Sequence, residues 1–420
     1  MKQFIFSLKE KIIRHKVLVQ NFSYLSIIQI INLPLSIITY PYLIRVLGKD
    51  TYGIVIFAQA VVVYLVVLVG FGFNISATHE VSVYRDNKEK LNEIVSSVLI
   101  IKSVLFFVAL LILCCLLIFI PRARGYELLF IISMWPCLYD VIFPSWYFQG
   151  IERMKYITYI TLISRVIFLA LIFIFVRKPE DYLLVPAIYG LGYIIAGIIS
   201  LYIVFSKHKI KFNSQDFKTL KLYFYDSVPI FVSNLSTSLY ATTSKVFVGA
   251  FLGMGEVAYY DLAEKVTALM KIPQSMLNLS LFPKISKEKN IDFVKQMFKI
   301  SMIINILLFI VVILSSKYII LLLGGKEMLP AQVIVNILAL TVPVIAISNV
   351  FGIQVLIPFG HNKTFSNVIV TSGFVYFLML FFLWFTLGFS VIGISTVTLI
   401  TEIFTSVYMF HFCKKYQIWK

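Results

Sequence analysis

Apolar runs of about 20 residues or more succeed one another through nearly the whole chain, each closed by charged residues or by Gly and Pro. Runs of that length decide the solvent and the backbone together. No water is present in a hydrocarbon core to take up a free N–H or C=O, so each such run must satisfy its own peptide groups and form a helix. Read in this way, the sequence predicts helices at about 22–46, 51–77, 94–120, 126–149, 155–176 and 182–205, then at about 227–252, 256–282, 298–323, 330–357, 365–387 and 389–412. Twelve crossings use about 250–260 residues, which matches a 420-residue chain that is 60% hydrophobic. Only 14% of the residues are charged, against about a quarter in soluble domains. A water-soluble globule is excluded, and the expected fold is an all-α polytopic membrane protein.

The longest hydrophilic stretch, Ser206 to Ser227, falls near the midpoint and is too short for a soluble domain. On either side the segments look like copies: Leu47-Gly48, Ala58 and Val61 recur as Leu252-Gly253, Ala263 and Val266 at a constant offset of 205 residues. The sequence therefore predicts an amphipathic lead-in at 1–21, a six-helix lobe at 22–205, a connection at 206–226, a second six-helix lobe at 227–413 and a tail at 414–420, with a central cavity between lobes. Positive residues stay on the cytoplasmic side during insertion. Loops on one side, including both termini, hold 24 Lys and Arg and the opposite loops hold 7, so both termini are expected in the cytoplasm of a bacterial inner-membrane protein. The same bias explains the net charge of +17 without a nucleic-acid partner. Cys114, Cys115 and Cys137 lie inside apolar runs and Cys413 at the last membrane edge, which implies no disulfide framework. No nucleotide-binding signature is present, and no cofactor is expected.

Five blocks in order carry a resemblance. They are Pro41-Tyr42-Leu43-Ile44-Arg45-Val46-Leu47-Gly48 with Tyr52-Gly53; Gly72-Phe73-Asn74-Ile75-Ser76-Ala77-Thr78 with Arg85; and Pro144-Ser145-Trp146-Tyr147-Phe148-Gln149-Gly150-Ile151-Glu152. The second half adds Tyr259-Tyr260-Asp261-Leu262-Ala263-Glu264-Lys265 and Leu281-Phe282-Pro283-Lys284-Ile285-Ser286. With these the chain resembles the polysaccharide transporters, the Wzx-type flippases for lipid-linked O-antigen repeat units of the multidrug/oligosaccharidyl-lipid/polysaccharide superfamily. One departure is that Ser244 stands before Lys245 where many relatives carry an acid. The resemblance implies that an undecaprenyl-diphosphate-linked oligosaccharide is moved from the cytoplasmic to the periplasmic leaflet by alternating access, in a membrane that also holds the repeat-unit polymerase as a partner.

A diphosphate cannot enter hydrocarbon bare, so its carrier needs cations that replace the water shell. Basic residues deep in a helix usually face a cavity and not lipid. This makes Arg165, Lys245, Lys271, Lys265 and Lys102 candidates for a cationic, substrate-binding cavity. Each has a structural alternative. Asp261 and Lys265 are four residues apart, the spacing of an ordinary intrahelical ion pair, and Lys317 reads as an interfacial anchor. Among the acids, Asp140 lies between Pro136 and Pro144 in the fourth helix, where missing backbone donors loosen the helix. Asp140 and Glu264 are the candidates for coupling to H+ or Na+, with charge neutralisation and helix capping as their structural alternatives. Two other functions compete: a drug or metabolite antiporter of the same superfamily, expected to present an acidic cavity, and a membrane glycosyltransferase or polymerase, expected to carry a large extracytoplasmic loop. The buried excess here is basic, and the noncytoplasmic connections are short.

Overall fold

The computed structural model describes residues 38–119, 123–386 and 388–419, and every regular element among them is helical. The expected lead-in at 1–21 and the first part of the span at 22–46 lie outside the described residues. The chain runs through α1 (38–47), α2 (Lys49–Gly70), α3 (Phe73–Val83) and α4 (Lys88–Phe119). Three short helices, α5 (Glu127–Ile132), α6 (Trp135–Ile142) and α7 (Ser145–Gly150), precede α8 (Met154–Phe175) and α9 (Leu184–Tyr202). Then come α10 (Phe217–Phe247), α11 (Met254–Glu288), α12 (Ile291–Gly324), α13 (Ala331–Asn349), α14 (Asn362–Thr386) and α15 (Val391–Lys415). Wider π turns extend α9 to Lys207, α10 to Leu252 and α13 to Leu356.

Nine stretches among the described residues are long and apolar enough to cross a membrane, and all nine fall on runs identified from sequence. The helices expected at 227–252 and 256–282 also form, as α10 and α11, but neither is among the nine. Both are more polar: between Asp226 and Lys245 α10 carries Ser233, Asn234, Ser236, Thr237, Ser238, Thr242, Thr243 and Ser244, and α11 carries Glu256, Asp261, Glu264, Lys265 and Lys271 together with Gln274, Ser275 and Asn278. Several helices overrun the expected limits. α4 begins at Lys88, α10 at Phe217 and α12 at Ile291, because a helix continues past its apolar part for as long as its residues favour helix. The fourth expected helix is instead three pieces. Pro136 and Pro144 stand at the starts of α6 and α7, where a residue without an N–H is tolerated, and the helix is interrupted just before each of them.

Side chains are sorted for a lipid exterior. Large apolar residues such as Leu314, Phe374 and Phe385 face outward, whereas Ser395, Thr401, Thr405 and Ser406 of α15 are buried. Small hydroxyl residues let membrane helices approach and bond across the gap: Thr405 donates to Ser372 Oγ of α14 at 2.7 Å and Ser406 to the Val344 carbonyl of α13 at 2.8 Å. Asn290 and Ser390 cap the starts of α12 and α15 by accepting from Phe293 N and Gly393 N.

The chain divides into two compact units, residues 1–46 with 61–235, and 47–60 with 236–420. The division falls inside α2 and α10, not in a loop. In the second unit the start of α2 therefore packs with α11. Gly48 and Gly253, from the two Leu-Gly pairs that recur in the sequence, each form the single-residue break between two helices. The backbones come close at Gly53, where an added Cβ would lie 1.8 Å from the Met254 carbonyl oxygen. Backbone on both sides leaves nothing to swing away. Gly53→Ala is expected to lower stability by about 1–3 kcal/mol, read as a lower thermal midpoint in detergent. Gly373→Ala in α14, where a Cβ meets nothing within 4 Å, should leave that midpoint in place. Equal midpoints for the two variants would contradict the packing described.

Candidate functional site

The charged side chains predicted from sequence fall into three groups. The first joins α4 to α6. Lys102 is 1% exposed, and its Nζ donates to Asp140 Oδ2 at 2.9 Å and to the Asp140 backbone carbonyl at 3.1 Å. That carbonyl belongs to the residue four before Pro144, which has no N–H to offer it. The proline break thus frees the acceptor that Lys102 uses. Gly70 at the end of α2 leaves room for the carboxylate, since a Cβ there would lie 3.2 Å from Asp140 Oδ2.

The second group lies in the second unit, on α10, α11 and the start of α2. Lys245 Nζ donates to Asp261 Oδ1 at 2.9 Å and to Glu264 Oε2 at 2.7 Å. Asp261, 1% exposed, also accepts from Lys265 one turn on in α11 and from the Tyr52 hydroxyl at 2.9 Å. Lys265 in turn donates to the Tyr52 oxygen at 3.2 Å. Two lysines and two carboxylates sum to zero, so the cluster is cross-linked and neutral. Lys245 takes its acids from α11, while Ser244 bonds the Tyr376 hydroxyl of α14 at 2.6 Å.

The third group consists of cations left outside these pairs. Arg165 on α8 is half-buried and makes no ion pair among the described residues. It acts electrostatically on the hydroxyls of Tyr139, Tyr189 and Tyr193. Those tyrosines come from α6 and α9, with the Tyr139 and Tyr193 ring centroids 4.5 Å apart and Phe168 of α8 stacked on Tyr189 at 3.7 Å. Trp135 closes the aromatic face against Gly190, where a Cβ would lie 2.3 Å from its ring. The buried Trp135 Nε1 has no hydrogen-bond partner among the described residues. Lys271 on α11 is likewise half-buried and outside the ion pairs, and Lys317 is exposed on α12.

A family model described as a polysaccharide biosynthesis protein matches residues 18–289. The chain belongs to this family. The matched segment contains every charged candidate named above apart from Lys317, and it agrees with the resemblance drawn from the five sequence blocks. A protein of Escherichia coli (strain K12) named "Putative O-antigen transporter" is 28% identical over 406 residues, covering 95% of this chain and 97% of that protein. Two solved structures share the fold with a TM-score of 0.73 each. One is a multidrug resistance MATE family transporter of the MOP superfamily in an inward-facing conformation, at 13% identity over 91% of this chain and 94% of that one. The other is the lipid II flippase MurJ, at 16% identity over 93% of this chain and 87% of that one.

In this member of the polysaccharide biosynthesis family, reasoning from sequence finds the charges but not the tyrosines around Arg165. Tyr139, Tyr189 and Tyr193 come from helices about 50 residues apart in the chain, and nothing in their local spacing marks them. Tyr189 and Tyr193 do stand four apart, which places them on one face of α9. Tyr52 is legible only as part of a sequence block; its bond to Asp261 spans 209 residues.

Proposed function

We propose that this protein is a flippase for an undecaprenyl-diphosphate-linked oligosaccharide, moving it from the cytoplasmic to the periplasmic leaflet by alternating access. The observation that supports this most is Arg165, a cation without a carboxylate partner among the described residues, set among stacked tyrosines on membrane-spanning helices. A cation already paired with a buried acid must give up that pairing before it can serve an anion fully, whereas an unpaired one is ready for it. Lys102, Lys245 and Lys265 are paired, which leaves Arg165 in the first unit to meet the diphosphate; Lys271, in the second, is a candidate of its own outside the ion pairs. Guanidinium suits phosphate oxygens through paired N–H donors, and aromatic faces suit the apolar faces of sugar rings. Both termini lie in the cytoplasm on this reading, and a polymerase acts on the product. Coupling to H+ or Na+ falls to Glu264 and Asp140, each of which would have to exchange its lysine partner for the ion in one access state.

Arg165→Gln is expected to reduce surface polysaccharide by about tenfold or more while membrane abundance stays near normal, since a cation outside the ion pairs holds no other charge in place. Arg165→Lys should keep more activity, retaining the charge and losing the fork. Quantifying cell-surface glycan in a strain lacking its own flippase checks both. Full glycan levels with Arg165→Gln would reject the role of this residue in substrate binding.

A further inference from the structure

A second cationic site, made of none of the charged candidates above, lies in the first unit. There the spans ending at Val83, Gly150 and Lys207 and those beginning at Lys88 and Met154 reach one surface, around a cavity of about 370 Å³. That is within the range of small-molecule sites, roughly 300–1,000 Å³. Its lining includes Arg85, Lys88 and Arg153 against one carboxylate, Asp86, together with Tyr147 and His208.

The hydrogen bonds settle which groups can still serve a ligand. Arg153 Nη1 lies 3.3 Å from His208 Nε2, and the Tyr147 hydroxyl lies 3.1 Å from His208 Nδ1. An arginine only donates, so Nε2 accepts, and the ring proton sits on Nδ1 and is donated to the tyrosine oxygen. The Tyr147 O–H is then left to donate elsewhere. Burial, with Arg153 and Lys207 nearby, holds the His208 pKa below its ordinary value, in keeping with this neutral tautomer. Arg153 pairs with no carboxylate among the described residues. Arg85 meets Glu152 at 3.4 Å and Asp86 at 3.9 Å, but all three side chains are about half exposed or more, and such pairs give way readily.

The walls are held in place. Lys211 N donates to Asn92 Oδ1 at 2.8 Å and Asn213 N to Ser96 Oγ at 3.0 Å, tying the loop after His208 to α4. Glu152 and Lys209, each next to a lining residue, take positive φ of 56° and 54°, a conformation that side-chain-bearing residues seldom adopt outside places where the surroundings impose it.

We propose that this cavity binds the phosphate of an anionic lipid head group, with Arg85 and Arg153 as principal donors and Lys88 and Tyr147 completing the shell. Its depth argues for a lipid source: five spans end at it, so it sits at the level of head groups and not out in water. It lies on the side where the loop lysines and arginines concentrate, which is the leaflet richer in anionic lipid if that side is cytoplasmic.

The test uses the full chain in dodecyl maltoside with tail-labelled phosphatidylglycerol, tail-labelled phosphatidylcholine and inorganic diphosphate as probes. Wild type should bind phosphatidylglycerol in preference to phosphatidylcholine, and Arg85→Gln with Arg153→Gln should weaken that binding roughly tenfold. A charge-matched control, Arg177→Gln with Lys178→Gln, should bind as wild type. Arg85→Lys with Arg153→Lys keeps both charges and should bind in between, which covers a glutamine variant that fails to fold. Equal loss in the pocket variant and the control, or no loss in either, overturns the site. Diphosphate binding that depends on the two arginines, without any preference for phosphatidylglycerol, overturns the lipid source.

Discussion

Replacing Asp140 by leucine is expected to destabilise the protein by about 3–5 kcal/mol, because it strands the Lys102 ammonium in the interior. The partners are unequal in a way that makes the prediction sharper. The Lys102 side chain is 1% exposed and that of Asp140 is 20% exposed, so the carboxylate left by Lys102→Met retains some water and the ammonium left by Asp140→Leu has almost none. Asp140→Leu should be the worse of the two. Lys102→Met combined with Asp140→Leu should recover most of the loss, since a buried pair replaced by apolar groups of similar size is often neutral. Membrane abundance and the thermal midpoint of the four proteins in detergent would establish the order. A wild-type midpoint for Asp140→Leu would show that the pair contributes nothing to the fold.

Lys245→Gln and Asp261→Asn are each expected to lower glycan export by about tenfold or more, for a reason the double variant can expose. Either single change leaves the neutral cluster with one unbalanced charge, and Asp261→Asn also weakens the anchor of Lys265 and Tyr52. The combined variant returns the sum to zero and should restore a large part of the activity. A lysine that bound the diphosphate directly would behave differently, because no change at Asp261 can replace a missing ligand. Export by the double variant that falls as low as in Lys245→Gln alone would assign Lys245 to the substrate and not to the network.

By sequence alone, Lys102, Lys245 and Lys265 are all candidates for one cationic cavity, because each is a charge inside an apolar run. Whether such a charge meets an anion from outside or an acid from a neighbouring helix depends on which helices touch. The pair Lys265 and Asp261 is visible in the sequence, being four residues apart on one helix. Lys102 and Asp140 are 38 residues apart and Lys245 and Asp261 are 16 apart, on different helices in both cases.

What the sequence determined by itself is the class of solvent, the helical nature of the spans and the two prolines that weaken the fourth one, though not its division into three pieces. Those rest on local chemistry: a long apolar run has only one way to satisfy its backbone in lipid, and Pro136 and Pro144 remove donors wherever the helix sits. The charged positions were also legible, since a lysine within a span is costly unless something receives it. Tertiary structure decided what receives it. It placed the carbonyl freed by Pro144 against Lys102, gathered three donors on Asp261, and left Arg165 among tyrosines drawn from two other helices. Side-chain partners across helices are set by the rotation and depth at which packed faces meet, and those depend on every contact along each helix at once, which no window of sequence contains.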